Sequence, residues 1–355
     1  MKVLQVITSL NVGGAEALVT AISIALRRRG IAVDVAVFND SETPLKARLL
    51  AAGCRVFPFG HSFYNPQYIF KLAKLMRGYD IVHTHNTSPQ YFAAIASMVS
   101  PSRLVTTEHN TANRRRKRAW YAAIDRLVYN RYAQIICISN KAEDNLRAWL
   151  GRCKAGIQTI HNGIDVAAFR GARPAAGMKT ARFVVVMVAG FRHEKDQDTV
   201  IRAIARLPED KFELWLVGDG VRRAEIEALV EKLGVRSQVK FLGVRNDVPA
   251  LLHAADAIVM SSHYEGLSLS NIEGMAVGKP FVASDVDGLH EATVGAGILF
   301  PHEDDGALAK ILLHLQQEPA YAAEVADTCY RRALQYDITT TTDAYAAVYD
   351  TLMYV

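Results

Sequence analysis

The chain has 355 residues, of which 50% are hydrophobic, with a formal net charge of +5 and four cysteines. That length and apolar content suit two globular domains of ordinary size and exclude a disordered or fibrous chain. Cys54, Cys137, Cys153 and Cys329 are scattered without a Cys-x-x-Cys pair. Such scatter argues against a zinc ribbon or a secreted disulfide framework and fits a reducing cytoplasm. The opening MKVLQVIT enters an apolar strand at once, too short for a signal peptide. No apolar run approaches the ~18 residues that a membrane span requires, so any membrane contact is expected to be peripheral.

Strands and helices alternate from Val3 onward. The pattern predicts a strand over Val3 to Thr8, a helix from about Ala15 to Arg29, a strand over Ala32 to Phe38 and a helix from Pro44 to Ala52. It continues with a strand at Arg55 to Pro58, a helix near Gln67 to Arg77, and strands at Ile81 to His83 and Arg103 to Thr107. A long helix around Ala119 to Tyr132 and a strand at Gln134 to Ile138 follow. Gly171, Pro174 and Gly177 break the periodicity of Arg170 to Lys179, which reads as a linker. A second alternation runs through Phe183 to Val188, Glu213 to Val217, Val239 to Leu242, Ala257 to Ser262 and Phe281 to Ser284, and three helices close the chain. This is the rhythm of α/β architecture: two doubly wound, Rossmann-like parallel sheets facing a cleft, with ligands at the carboxyl ends of the strands.

Several strand ends carry candidate binding residues. Gly13 and Gly14 open the first helix, where unblocked amides could meet a phosphate or sugar, or where the pair makes only a tight turn. His83, His85 and His109 end strands of the first half. The first two share a strand face and could in principle bind zinc, but no third ligand has a recognisable spacing. Arg192 and Lys195 stand at a strand end beside a helix start, where two cations can neutralise a diphosphate; ion pairs with Glu194 or Asp196 are the plainer reading. Gly218 and Gly220 end another strand and let backbone approach a ligand. No Gly-x-Gly-x-x-Gly follows any strand, which speaks against a nicotinamide enzyme.

The most informative stretch is HYEGLSLSNIEGMAVGKPFVASD, His263 to Asp285. Ala257 to Ser262 reads as a buried strand, Glu265-Gly266 as the turn leaving it, and Ser268 to Val277 as a helix closed by Gly278 and Pro280. Glu265 and Glu273 are thereby separated by up to ~12 Å at 1.5 Å per residue, comparable to the span from ribose to sugar across a diphosphate. Like charges repel in a cleft, so each carboxylate is expected to accept from hydroxyls at opposite ends of a sugar nucleotide, with the amides of the helix N-terminus on the phosphates. An ordinary crossover helix with two unrelated glutamates is the alternative.

This segment resembles the signature of the retaining glycosyltransferases of family four (GT-B architecture), in Glu265, Glu273, Ala276, Gly278, Pro280 and Ser284. The resemblance covers nearly the whole chain and is weakest from Val166 to Lys179. It implies that Glu265 lies by the donor sugar and Glu273 on the nucleotide ribose, with Gly266, Leu267 and Ser268 at the phosphates. Lys195 and an upstream arginine would form the diphosphate clamp. The family arginine is replaced here by Gly190, so Arg192 is expected to take its place. Arg245 and Asn246 would line the base pocket, the Gly13-Gly14 loop would face the reacting sugar, and His109 would lie near it. The implied domains are an acceptor domain at 1–170, with a last helix at about 336–355 packing back onto it, and a donor domain at 180–335.

Between Arg114 and Arg131 there are seven basic residues against one acidic, Asp125. The run Arg114, Arg115, Arg116, Lys117, Arg118 precedes Trp120 and Tyr121, and an anionic membrane surface would attract it, although such runs often only face water. No nucleic-acid module is recognisable. The expectation is a metal-independent hexosyltransferase at the inner face of the membrane. It would need no cofactor beyond a nucleotide-sugar donor, of UDP or GDP type, and would act on a lipid-linked or polysaccharide acceptor. A sugar-nucleotide epimerase on the same fold and a non-catalytic nucleotide-sugar-binding subunit remain as alternatives.

Overall fold

A computed structural model describes residues 1–11, 13–109, 116, 118–178, 180–265 and 269–354. The chain divides into two compact units, Met1–Gly163 with Ile338–Val355, and Ile164–Asp337.

The first unit alternates β1 (Lys2–Ile7), α1 (Gly14–Arg28), β2 (Ala32–Val37), α2 (Pro44–Ala51), β3 (Val56–Pro58), α3 (Gln67–Met76), β4 (Ile81–His85), α4 (Thr87–Ala96), β5 (Arg103–Glu108), α5 (Tyr121–Tyr129), β6 (Gln134–Cys137), α6 (Asn140–Leu150) and β7 (Gly156–Thr159). All its strand pairs are parallel, in the order β3-β2-β1-β4-β5-β6-β7. The order reverses between β1 and β4, so their carboxyl ends diverge and leave a crevice for a ligand.

The second unit contains α7 (Val166–Arg170), β8 (Phe183–Val188), α8 (Gln197–Ile204), β9 (Phe212–Val217), α9 (Arg223–Leu233), β10 (Val239–Gly243), α10 (Val248–Ala254), β11 (Ala257–Met260), α11 (Leu269–Ala276), β12 (Phe281–Ser284), α12 (Leu289–Thr293), β13 (Ile298–Phe300), α13 (Asp305–Gln317) and α14 (Pro319–Leu334). Its parallel sheet runs β10-β9-β8-β11-β12-β13, with the reversal between β8 and β11. Strands such as FVVVMV and AIVM are apolar throughout because helices cover both faces.

The helix starts are chemically marked. Thr43, Ser139, Asp165, Asp196 and Asp304 each accept from the backbone N–H three residues on. Gly278 ends α11 at φ 71, and a Cβ there would collide with Arg170, whose guanidinium donates to Val277 O at 2.9 Å. The stretch expected to be a linker is not a loose tether. Phe169, Ala175 and Met178 pack on the core of the second unit, and Ala175 N donates to Ala250 O. The last helix, α15 (Ile338–Met353), lays Tyr345, Val348 and Tyr349 against Leu18, Ile22 and Leu26 of α1 in the first unit.

Candidate active site

In the second unit the turns leaving β8 and β11, on either side of the strand-order reversal, bring Lys195 and Glu265 together. The lysine ammonium pairs with Glu265 Oε1, and Ser262 Oγ donates to the same oxygen at 2.8 Å. Lys195 keeps 21% of its side chain exposed and Glu265 10%, so the pair is open enough for a ligand to exchange partners with it. Neighbouring bonds fix the two turns. Ser261 Oγ donates to Asp196 O at 2.6 Å, His263 N to Glu194 O at 3.0 Å, and Ser284 Oγ to Ser262 O at 2.7 Å. The short 3-10 turn His193–Lys195 ends at Asp196, which is left-handed at φ 46 and caps α8. The sequence separated Lys195 from Glu265 by seventy positions, and only the sheet joins them.

Glu273 projects from α11. It is partly buried and has no hydrogen-bond or ion-pair partner among the described residues, and burial pushes its carboxyl up to about 7. Two residues earlier, Asn271 is fully buried, and neither its amide nitrogen nor its oxygen has a partner among the described residues. Buried polar groups are nearly always bonded, so each of these groups is an exception; two positions apart on a helix they point to different faces, so Asn271 and Glu273 do not converge on one point. Asn271 escaped the sequence reading because an asparagine in an apolar helix has no spacing signature. Gly266, Leu267 and Ser268 lie outside the described residues.

Arg192 is 69% exposed and only 3.9 Å from Glu194. Its guanidinium is thus weakly tied and free to turn. At Gly190 an added Cβ would touch nothing closer than 3.8 Å, so nothing in the packing requires the glycine. Gly218 is different. At φ 134 a Cβ would sit 2.1 Å from Ala189 O, and at Gly220 one would sit 2.4 Å from Phe191 O. The room these glycines make is filled by the turn after β8, so they hold the Lys195 turn in register. Arg245 donates two hydrogen bonds to the Asp247 carboxylate, Nε to Oδ1 at 2.8 Å and Nη2 to Oδ2 at 2.7 Å, and Asn246 beside it is exposed. The arginine's fork is thereby occupied by its own loop.

In the first unit the strand-end histidines form one network. His85 Nε2 lies 2.7 Å from Gln5 Oε1, and His85 Nδ1 lies 3.0 Å from His109 Nε2. His83 bonds Tyr349 OH at 2.6 Å and Thr107 Oγ1 at 2.8 Å, while Gln5 Nε2 donates to Tyr349 OH at 3.3 Å. With the Gln5 oxygen facing His85, His85 Nε2 carries the proton, its Nδ1 accepts, and His109 Nε2 must donate. His109 Nδ1 then presents a lone pair, with no partner among the described residues. Burial lowers His83 and His85 far below the ordinary imidazole range and His109 to about 4, so all three are neutral at pH 7. Gln5, Tyr345 and Tyr349 were not legible as partners, because α15 is remote in sequence from β1, β4 and β5.

Gly13 caps α1 in extended conformation, and a Cβ there would meet the Glu16 carboxylate at 2.3 Å; around Gly14 the space is open. At the end of β4, Asn86 adopts φ 70 and donates to Thr8 Oγ1 at 2.7 Å, joining the carboxyl ends of β4 and β1.

Of the basic run, Arg114, Arg115 and Lys117 lie outside the described residues, and Arg118 is exposed. Arg116 corrects the picture of five exposed cations. It turns inward to Glu108 at 2.9 Å, with 10% of its side chain exposed, and Tyr129 OH donates to the same carboxylate oxygen. Asp125 is buried too and accepts from Trp149 Nε1 at 2.8 Å and from Tyr91.

The sequence profile described as Glycosyltransferase Family 4 matches residues 12–168, and that described as Glycosyl transferases group 1 matches residues 170–332. The chain belongs to the glycosyltransferases of family four. Bacillus subtilis EpsF, a glycosyltransferase by its assigned name, is 28% identical over 80% of this chain and 79% of its own. The lipopolysaccharide core biosynthesis glycosyltransferase LpsD of Rhizobium meliloti is 31% identical over 62% of this chain and 65% of its own. Anabaena Alr3699/HepE, solved with UDP, superposes with a TM-score of 0.85 at 24% identity, covering 99% of this chain and 100% of that one. The fold of this glycosyltransferase is thus GT-B. No helix among the described residues is long and apolar enough to cross a membrane.

Proposed function

We propose that this glycosyltransferase moves a hexose, with retention of anomeric configuration and without a metal in the transfer step, from a UDP-sugar to a lipid-linked or polysaccharide acceptor. The observation that carries the reading is the Lys195–Glu265 pair, with the Glu273 carboxylate, which has no partner among the described residues, in the same unit. An incoming diphosphate takes Lys195 and Arg192 as counter-cations, which frees Glu265 to accept from the donor sugar. Glu273 accepts from the ribose hydroxyls. Uridine is favoured over guanosine because the structural neighbour HepE was solved with UDP and with UDP-glucose. A growing glycan acceptor is favoured because relatives are named for lipopolysaccharide core biosynthesis and for galactosyl transfer to diphosphoundecaprenol-linked GlcNAc.

In the transfer step the bond from the anomeric carbon to the phosphate oxygen breaks and the bond to the acceptor oxygen forms on the same face. The acceptor's proton goes to the departing phosphate oxygen, so no strong protein base is needed. His109, held neutral with Nδ1 unprotonated, is suited to accept a hydroxyl hydrogen bond rather than to act as an acid. Peripheral association with an anionic membrane would use Arg118 and its basic neighbours, but not Arg116. The test is a panel of UDP- and GDP-sugars with lipid-linked acceptors, the product anomer being read by NMR. Glu265→Ala and Lys195→Ala should each lower kcat by about 10²-fold or more. Unchanged turnover in both would remove the site assignment, donor turnover without acceptor would show an epimerase, and donor binding without transfer would show a binding subunit.

A further inference from the structure

The loops that follow β11 and β13 bring two imidazoles and a carboxylate to one point. His263 Nδ1 lies 2.8 Å from His302 Nε2 and 3.4 Å from Glu303 Oε1, and His302 Nε2 lies 4.0 Å from that same oxygen. We infer that His263, His302 and Glu303 bind a first-row divalent cation of the zinc class, at a site separate from the residues assigned to sugar transfer. A tetrahedral zinc with ligands at 2.0–2.2 Å sets their atoms roughly 3.3 Å apart, and the three observed separations bracket that value. Small side-chain rotations therefore bring all three lone pairs onto one ion.

The donor set decides the class of metal. Two imidazoles with one carboxylate suit zinc, nickel or copper, whereas magnesium and calcium take oxygen ligands. Charge points the same way. Asp196 Oδ2 lies a further 3.9 Å from His263 Nδ1, adding a negative group that is already engaged in capping α8. His302 is 39% exposed and Glu303 59%, so one side of the cluster faces solvent and leaves room for a fourth ligand. Glu303 also holds φ 63, a left-handed conformation that a non-glycine residue rarely adopts. The ring of His193 lies 4.8 Å from that of His263 and limits how it can rotate.

The position gives the ion a consequence for the neighbouring chemistry. His263 N donates to Glu194 O, beside Lys195, and His263 stands two residues before Glu265. An ion held there ties the loop after β13 to the two turns that carry the Lys195–Glu265 pair, so its role is to stiffen those turns rather than to contact substrate.

The test uses the full chain, stripped with a chelator and titrated calorimetrically with zinc alone in a non-coordinating buffer, with no sugar nucleotide present. A saturable site of micromolar or tighter affinity is expected. His302→Ala and Glu303→Gln, both at exposed positions, should each weaken it at least about tenfold. Zinc should raise the melting temperature of the wild type but not of His302→Ala, and magnesium should do neither. Absence of saturable zinc binding would overturn the inference, and so would binding that His302→Ala leaves intact. Because no transfer is measured, either outcome leaves the reading of the sugar-transfer site untouched.

Discussion

Glu273 is the residue whose environment most directly forecasts behaviour. Its carboxyl is raised to about 7 by burial, with no compensating partner among the described residues, so between pH 4.5 and 7 the folded chain holds a proton that the unfolded chain has released. Stability from this group is therefore full in acid and declines as pH rises toward 7, by at most roughly 3 kcal/mol. Glu273→Gln should remove that slope and raise the melting temperature of the ligand-free protein at pH 8, while weakening donor binding. A melting curve with the same pH dependence as the wild type would contradict the assigned environment. Arg192 and Gly190 make a second residue-scale test. Arg192→Ala should cost about 10- to 100-fold in kcat/KM, and adding Gly190→Arg, where the packing has room for a side chain, should restore a large part of it. Failure of the second change to restore anything would mean that the two positions do not serve one anion.

At the scale of elements, α15 is bound to the first sheet through polar contacts as well as apolar ones. Tyr349 OH lies between Gln5 Nε2 and His83 Nδ1, and Tyr345 OH lies 3.1 Å from Thr107 Oγ1, all fully or nearly fully buried. Tyr349→Phe leaves a buried amide and a buried imidazole nitrogen each short of a partner, so it should cost roughly 1–3 kcal/mol in urea unfolding. Tyr345→Phe removes a longer bond and should cost less. If the two variants unfold at the same urea concentration as the wild type, the network is not holding the helix. The sequence located α15 by its apolar spacing and the family resemblance placed it against the first domain, but its hydroxyl partners depend on three strands that no local pattern connects to it. A local reason explains why α4, α6 and β7 went unread: TSPQYFAAIA carries a proline in its first turn, NKAEDNLRAWL is mostly polar, and GIQT has too few apolar residues to show a period.

At the scale of the whole molecule, the two units should respond to pH in opposite senses. His83, His85 and His109 are held neutral in the first unit, so below pH 6.5 the unfolded chain binds more protons and this unit loses stability as pH falls. Glu273 gives the second unit the reverse slope. Calorimetric scans from pH 5 to 8 should therefore show unfolding that broadens or splits as the pH moves, with Glu273→Gln altering only one component. A single transition with one common slope would contradict it. The sequence by itself determined the two parallel α/β halves, the helix and strand around His263 to Asp285, and the residue types of the site, because apolar periodicity, capping residues and a spaced motif are local. Tertiary structure alone decided that Lys195 meets Glu265, that Arg116 is spent on Glu108 and that Arg245 is held by Asp247. It also decided that a buried tyrosine near the carboxyl terminus orders the imidazoles of β4. Pairing across a parallel sheet joins residues far apart in the chain, and neither burial nor partner identity is written in a local spacing.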